Sequence, residues 1–396
     1  MFTKEIVDKF KGHETPFYYY DTTVLKKTID LLTTEANKYG YVVHYAMKAN
    51  TNDEILKIIH ASGLGADCVS GNEIKKALEI GFPASHVVFA GVGKSDAEIN
   101  LGLDGNIFCF NCESSQELDV LNELAGKKNK VANIALRINP NVNAHTHHYI
   151  TTGLEENKFG INMWELEGVV KQLKTLKNLK LVGLHFHIGS QITDISAFKN
   201  LCTRVNEIQE WFVTHHITFE HINVGGGLGV DYHNPDTNSV PDFKTFFKVF
   251  KDFLEVKPNQ KIHFELGRAV VAQCCSLISR VLYIKKGVAT TFAILDAGMT
   301  ELIRPALYQS YHKIENISSL VPEPAVSESN RPLSPVTKYD IVGPICESSD
   351  CFGKAYELPE TKRGDLIAIR TAGAYGEVMA SNYNLREKAK SVFDGS

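Results

Sequence analysis

Along the first two thirds of the chain, hydrophobic positions alternate between two spacings. Val24 to Tyr39 carries Leu25, Ile29, Leu31 and Leu32 near helical spacing and predicts a helix. Ahead of it, Phe17-Tyr18-Tyr19-Tyr20 after Pro16 predicts an isolated strand. From Tyr41 a rhythm sets in. Short β-branched and aromatic runs predict strands at Tyr41–Lys48, Ala66–Ser70, His86–Gly91, Asn106–Cys112, Asn133–Pro140, Lys180–Gly189, His221–Gly227 and Lys261–Arg268. Each of the first seven is followed by a stretch of helical spacing. Eight strand units over about 230 residues predict a (β/α)8 barrel. A doubly wound open sheet is the structural alternative, and eight units favour closure.

Beyond residue 274 the pattern changes. SLISRVLYIKK, TTFAILDA, KYDIVGPIC and DLIAIRTAGAY read as short strands split by turns. They predict an all-β domain, sandwich- or barrel-like. The expected division is a barrel over 24–273 and a β domain from 274–396 joined by 1–23, since the early FYYY strand needs a sheet partner. VPEPAVSESNRPLSPV, 321–336, reads as a surface loop.

Composition narrows the function classes. The chain has 396 residues, 43% hydrophobic and 22% charged, with a formal net charge of −4, and no strong basic run. That argues against a nucleic-acid partner. No apolar run approaches the length of a membrane span, and the start shows no signal peptide. The eight cysteines point to reduced thiols in the cytoplasm rather than to a structural zinc site. HTHH at 145–148 reads as a solvated loop, because no helical HxxxH or convergent carboxylates accompany it.

Barrel sites lie at the carboxyl ends of the strands, so polar residues should collect there. Lys48 ends the first strand. Asp67, Ser70 and Glu73 follow the second, and His185, His187, Ser190 and Gln191 the sixth. Gly225, Gly226 and Gly227 follow the seventh; Glu265 and Arg268 sit on the eighth. A lysine there is either a solvated surface residue or an amine nucleophile able to form a Schiff base. The glycines make either a plain turn or a phosphate cradle. GGGLG is not a dinucleotide fingerprint, because Val230 stands where the last glycine would be. An amine, a phosphate cradle and an acid together suggest pyridoxal phosphate. Glu265 would then face the ring nitrogen, or else serve Arg268 as a structural partner. His187 would lie against the ring, or else be a core histidine.

These residues sit in YAMKAN, SGNE, NPNVNAHTHHYITTGLEENKFGI, GLHFHIGSQ, NVGGGLG, ELGR, RPALYQSYH, GPICESSD and GAYG. Across nearly its whole length the chain resembles the diaminopimelate-decarboxylating branch of the barrel-type (fold type III) pyridoxal phosphate decarboxylases. That resemblance implies Lys48 as the Schiff-base lysine and His187 stacked on the cofactor. It implies Ser190, Gly225–Gly227, the Glu265-Leu266-Gly267-Arg268 segment and Tyr375 as holders of the cofactor. Cys346 would be the proton donor, and Arg268, Arg304, Tyr308, Glu347 and Tyr375 would recognise substrate. GPICES would reach the neighbouring subunit's site, making an obligate homodimer. The implied reaction is decarboxylation of meso-2,6-diaminopimelate to L-lysine, the last step of lysine biosynthesis. Ornithine, arginine or carboxynorspermidine are the alternative substrates on this fold, and a non-catalytic cofactor-binding regulator is the alternative of another class. An arginine fork suits a distal carboxylate, so Arg304 favours diaminopimelate; otherwise it is an exposed arginine before a proline. Leu266 departs from the proline usual in the family, which predicts a looser loop and unchanged function.

Overall fold

The structure, a computed structural model, describes residues 2–142, 158–319 and 336–394. The HTHH run, most of the loop at 141–160 and most of the Pro- and Ser-rich segment lie outside the described residues. The chain forms two compact units. One comprises Lys26–Val230 and Pro241–Val270; the other comprises Met1–Leu25, Asp231–Val240 and Val271–Ser396. The spacing places 231–240 within the barrel, whereas the structure groups it with the β unit.

In that β unit, Phe17–Tyr20 (β1) pairs antiparallel with a twelve-residue strand that begins at Cys275, Phe17 opposite Ile278 and Tyr20 opposite Cys275. The sequence pattern predicts a partner in this unit without saying which strand supplies it. In the other unit, eight parallel strands close into a barrel: β2 (Val42–Ala46), β3 (Gly65–Cys68), β4 (Val87–Phe89), β5 (Cys109–Cys112), β6 (Ala132–Arg137), β7 (Leu179–His185), β8 (His221–Asn223) and β9 (Lys261–Leu266). β9 returns to β2, with His44 opposite Glu265. Closure removes both sheet edges. The strands are shorter than the apolar runs predict, so several candidate residues lie in the loops beyond them.

Polar residues punctuate the barrel. Ser70 caps the helix Gly71–Ile80 by accepting from the Glu73 amide, and Ser95 with Glu98 makes a capping box on Asp96–Asp104. Glu73 turns back to accept from the Val69 amide at 2.7 Å. SGNE is thus a helix start. The helix Phe243–Phe253 buries Phe243, Phe246, Phe247 and Phe250, one stripe of a 3.6-residue period. Three of these rings pack within 4.9–5.6 Å of Phe264 on β9. Each buried phenylalanine contributes roughly 2–3 kcal/mol, and together they fix the strand that carries Glu265.

The barrel interior is polar at several inward positions. His44 Nδ1 lies 3.1 Å from the His86 carbonyl oxygen, His44 Nε2 3.0 Å from His263 Nδ1, and His263 Nε2 2.9 Å from His221 Nδ1. A carbonyl only accepts, so His44 donates from Nδ1 and accepts at Nε2 from His263 Nδ1, and His263 Nε2 accepts from His221 Nδ1. His44 and His263 are therefore neutral. Burial, the largest influence on each, holds His44 down to about 4 and His263 to about 2.

The β unit is built on an eight-stranded sheet. Its long strand β10 (Cys275–Lys286) pairs with β1, with β11 (Thr291–Leu295) and with a later strand, Leu366–Ile369. Cys109 and Cys112 stand at C-x-x-C spacing, on β5. The two-residue period of a strand turns these side chains to opposite faces. All eight cysteines are free thiols.

Candidate active site

Lys48 sits just past β2, in a single 3-10 turn, Met47–Ala49, rather than on the strand itself. The last parallel pairing of β2 and β3 joins Ala46 to Asp67. That register sets Lys48 beside the Asp67 carboxylate, and Lys48 Nζ donates to Asp67 Oδ2 at 2.8 Å. Asp67 is fully buried, and its Oδ1 has no hydrogen-bond partner. Burial first, and the Glu265 charge second, push Asp67 up to about 7 against the pull of Lys48. Gly267 makes room for this turn: a Cβ there would stand 3.0 Å from the Cβ atoms of both Ala46 and Ala49. Leu266 pairs with Tyr45 at the end of β9 and is buried. Strand pairing thus holds the residue that stands at this position.

Glu265 lies deep in the barrel, 6% exposed. Asn223 Nδ2 and Asn111 Nδ2 donate to its Oε1 at 2.8 and 3.2 Å, and His185 Nε2 donates to its Oε2 at 3.0 Å. Burial opposes ionisation, but His185, then Lys48, outweigh it and hold the carboxyl well below its ordinary range. Arg268, buried, instead donates from Nε and one terminal nitrogen to Ser190 Oγ at 3.3 and 3.2 Å. Glu265 is thus clasped by an imidazole and two amides, not by Arg268. His185 Nδ1 is buried without a partner.

His187 is half-buried beyond β7. Its Nδ1 accepts from the Gly226 amide at 3.3 Å, and burial, with Arg137 and Lys48 adding to it, lowers the ring to about 3. It is a neutral imidazole. The glycine run is explained partly by backbone contact: a Cβ on Gly226 would overlap the Glu265 carbonyl oxygen, and Gly225 has φ +71°. The Gly225 amide donates to Asn223 Oδ1 at 2.9 Å, so it is turned to a side chain. The long Gly226–His187 bond is one that an anion could replace.

Residues that the sequence does not single out complete the barrel site. Asn111 and Asn223 hold Glu265. Glu113 accepts from Arg137 at 2.8 Å and from the Gly91 amide at 2.8 Å, and the Arg137 guanidinium lies 4.7 Å over Phe159. The signal for them is an alternation of polar residues along strands: Asn111, His221 and Asn223, His263 and Glu265.

In the β unit, Arg304 opens a short helix, Arg304–Tyr308, and is 7% exposed, so it is not a surface arginine. Its guanidinium lies 5.9 Å from the Tyr232 ring centroid, 5.9 Å from Tyr308 and 5.8 Å from Tyr375. Cys346 is exposed, in a loop wound around Asp350, whose carboxylate accepts from the Met299 and Ile345 amides at 2.6 and 2.7 Å. Glu347 accepts from the Tyr383 hydroxyl at 2.8 Å. The candidates therefore gather into two sets. Lys48, His187, Ser190, Gly225–Gly227, Glu265 and Arg268 belong to the barrel unit; Arg304, Tyr308, Cys346, Glu347 and Tyr375 belong to the β unit.

Residues 25–272 match the model of the pyridoxal-dependent decarboxylases, pyridoxal binding domain. The chain is 60% identical over 385 residues to the diaminopimelate decarboxylase of Bacteroides thetaiotaomicron, covering 97% of this chain and 96% of that protein. Among solved structures, diaminopimelate decarboxylase from Helicobacter pylori complexed with L-lysine superposes with a TM-score of 0.88 at 38% identity, covering 98% and 94% of the two chains. Diaminopimelate decarboxylase from m. jannaschii, in co-complex with L-lysine, gives 0.86 at 34% identity over 98% and 88%.

Proposed function

The chain belongs to the pyridoxal-dependent decarboxylase family, and on that premise we propose how its residues convert meso-2,6-diaminopimelate to L-lysine and carbon dioxide. Pyridoxal phosphate, when bound, supplies an aldehyde for amines and a ring that draws off the charge left as carbon dioxide departs. The barrel residues fit such a group by their chemistry. They offer one amine at Lys48, an ionised acceptor at Glu265 and a neutral imidazole at His187. A buried Asp67 Oδ1 without a hydrogen-bond partner lies beside the amine.

The contacts at Lys48 and Glu265 support the first two roles. Lys48 is the covalent anchor. An ammonium is not a nucleophile, so Lys48 Nζ must first lose a proton. Asp67, already hydrogen-bonded to it and of raised proton affinity, takes that proton. Glu265 has lone-pair capacity left on Oε2 for a ring N–H and stays anionic because Asn111, Asn223 and His185 hold it so. His187 would lie against the ring face when the group is bound. Ser190, Arg268, the glycines 225–227 and Tyr375 would hold the phosphate end, with Leu266 and Gly267 fixing the loop.

Arg268, Arg304, Tyr308, Glu347 and Tyr375 recognise the substrate. Diaminopimelate carries a second amino-acid end, and Arg304 binds its carboxylate while Glu347 takes its ammonium. Ornithine would leave the buried Arg304 charge unmatched, which costs affinity. The Cys346 thiol returns a proton to the α-carbon. The protein acts as a homodimer in which the 343–348 segment serves the neighbouring subunit's site, and its free thiols suit the cytoplasm. Among the described residues no helix is long and apolar enough to cross a membrane.

One observation carries the reading: a single closed barrel holds both the Lys48 amine and a Glu265 carboxylate kept ionised by three donors. Carbon dioxide release from diaminopimelate, ornithine, arginine and lysine tests it. Release from diaminopimelate alone is expected; equal turnover of ornithine removes the substrate assignment.

A further inference from the structure

We propose that Tyr232 is a positioning residue for Arg304, and that through Arg304 it sets selectivity for a substrate with a distal carboxylate. The inference rests on the reading of Arg304 given above. Tyr232 belongs to the stretch Asp231–Val240, which lies in sequence between β8 and the helix Phe243–Phe253 but packs within the β unit. The stretch has its own fastenings there. Arg370 donates to both oxygens of Asp236 at 2.8 and 3.2 Å, and to Glu315 at 2.6 Å. Gln273 donates to the Asp231 carbonyl at 3.3 Å and also to the Asn238 carbonyl. The His233 ring stacks on Tyr311 at 4.1 Å. Asp231 ties the turn internally, accepting from the His233 and Asn234 amides at 2.8 and 2.9 Å and from the Asn238 side chain at 2.7 Å.

These contacts fix Tyr232, which is 8% exposed. Its ring meets buried His312 edge-on at 5.1 Å, and His312 Nδ1 donates to the Arg370 carbonyl at 2.9 Å. A second neighbour is Arg304. Tyr232, Tyr308 and Tyr375 each stand 5.8–5.9 Å from its guanidinium carbon. That is the outer edge of cation–π range, so each ring contributes at the weak end. Three together confine a flexible side chain whose planar fork must be aimed to accept a carboxylate in two parallel bonds. Tyr308 and Tyr375 lie among the substrate residues already named. Tyr232 does not, and it comes from a different part of the chain.

A positioning role makes a distinct kinetic signature. Tyr232→Leu is expected to raise KM for diaminopimelate about 3- to 10-fold with kcat changed less than about two-fold, because a fork aimed less well weakens binding without touching the reacting bond. Tyr232→Phe keeps the ring and is expected to restore KM to within about two-fold of wild type. Should Tyr232→Leu fold poorly, fluorinated phenylalanines in place of Tyr232 preserve shape while draining the ring face. KM should then climb with fluorine number. In an Arg304→Ala background, Tyr232→Leu should add nothing further. An unchanged KM across the fluorinated series, or a Tyr232→Leu effect of equal size without Arg304, overturns the proposal. Arg304→Ala alone separates the two levels: a wild-type KM there refutes the Arg304 reading and the Tyr232 inference with it, whereas a raised KM leaves only Tyr232 in question.

Discussion

Lys48 Nζ donates to the buried carboxylate of Asp67 at 2.8 Å, bridging the turn after β2 and the strand β3. The pair couples the amine to a group whose proton affinity is raised to about 7. Asp67 is therefore protonated below that pH, where it can no longer take a proton from Lys48. Activity should rise with pH through about 7 on this account. Asp67→Asn, which keeps the shape and loses the titration, should lower kcat by about 10- to 100-fold and erase that limb of the pH–rate profile. A variant that retains the limb assigns it to another group.

Chain order hides this pair less than it hides the others. Repeated apolar runs make the eight strands legible, and the polar residues at their ends mark Lys48, His187 and Glu265. Strand ends are less legible, because pairing partners decide them: β2 stops where Ala46 meets Asp67, which moves Lys48 into a turn. Asn111 and Asn223 escape the sequence because their partner Glu265 lies 154 and 42 residues away. Tyr232 escapes because nothing in its neighbourhood of the chain marks 231–240 as part of the β unit.

Acid should weaken the fold before carboxylates titrate. His44 and His263 have folded values of about 4 and about 2, below the ordinary 6.5. Their folded affinities are depressed, so the unfolded chain binds protons first. The stability they contribute is present above pH 6.5 and is lost as pH falls below it. By pH 5 the loss is on the order of 2 kcal/mol per histidine. Urea denaturation at pH 7 and pH 5 should show it, and the double variant His44→Gln, His263→Gln should lose less between those pH values. An equal loss in the variant contradicts the assignment.

Arg304→Ala should raise KM for diaminopimelate by roughly 10- to 100-fold, the scale of a lost charge-assisted bidentate contact. Its turnover of ornithine, which has no distal carboxylate, should change little. Steady-state kinetics on both substrates checks this, and a parallel loss on both would mean that Arg304 supports the fold rather than the choice of substrate.

The proposed shared-site dimer predicts complementation. Lys48→Ala and Cys346→Ala subunits, each inactive alone, should regain activity after mixed refolding. Half of the random dimers are hybrids with one intact site, so recovery should approach about a quarter of wild type. No recovery from a mixture shown to contain hybrid dimers would place both residues in the same subunit's site.

The central claim is that Lys48 holds pyridoxal phosphate covalently. Borohydride reduction of the cofactor-loaded protein, followed by peptide mass spectrometry, reads the attachment point directly. The account predicts a pyridoxyl-phosphate mass on the peptide containing Lys48, and on no other lysine. A modification at a different lysine, or none in a protein that carries the cofactor, would contradict it.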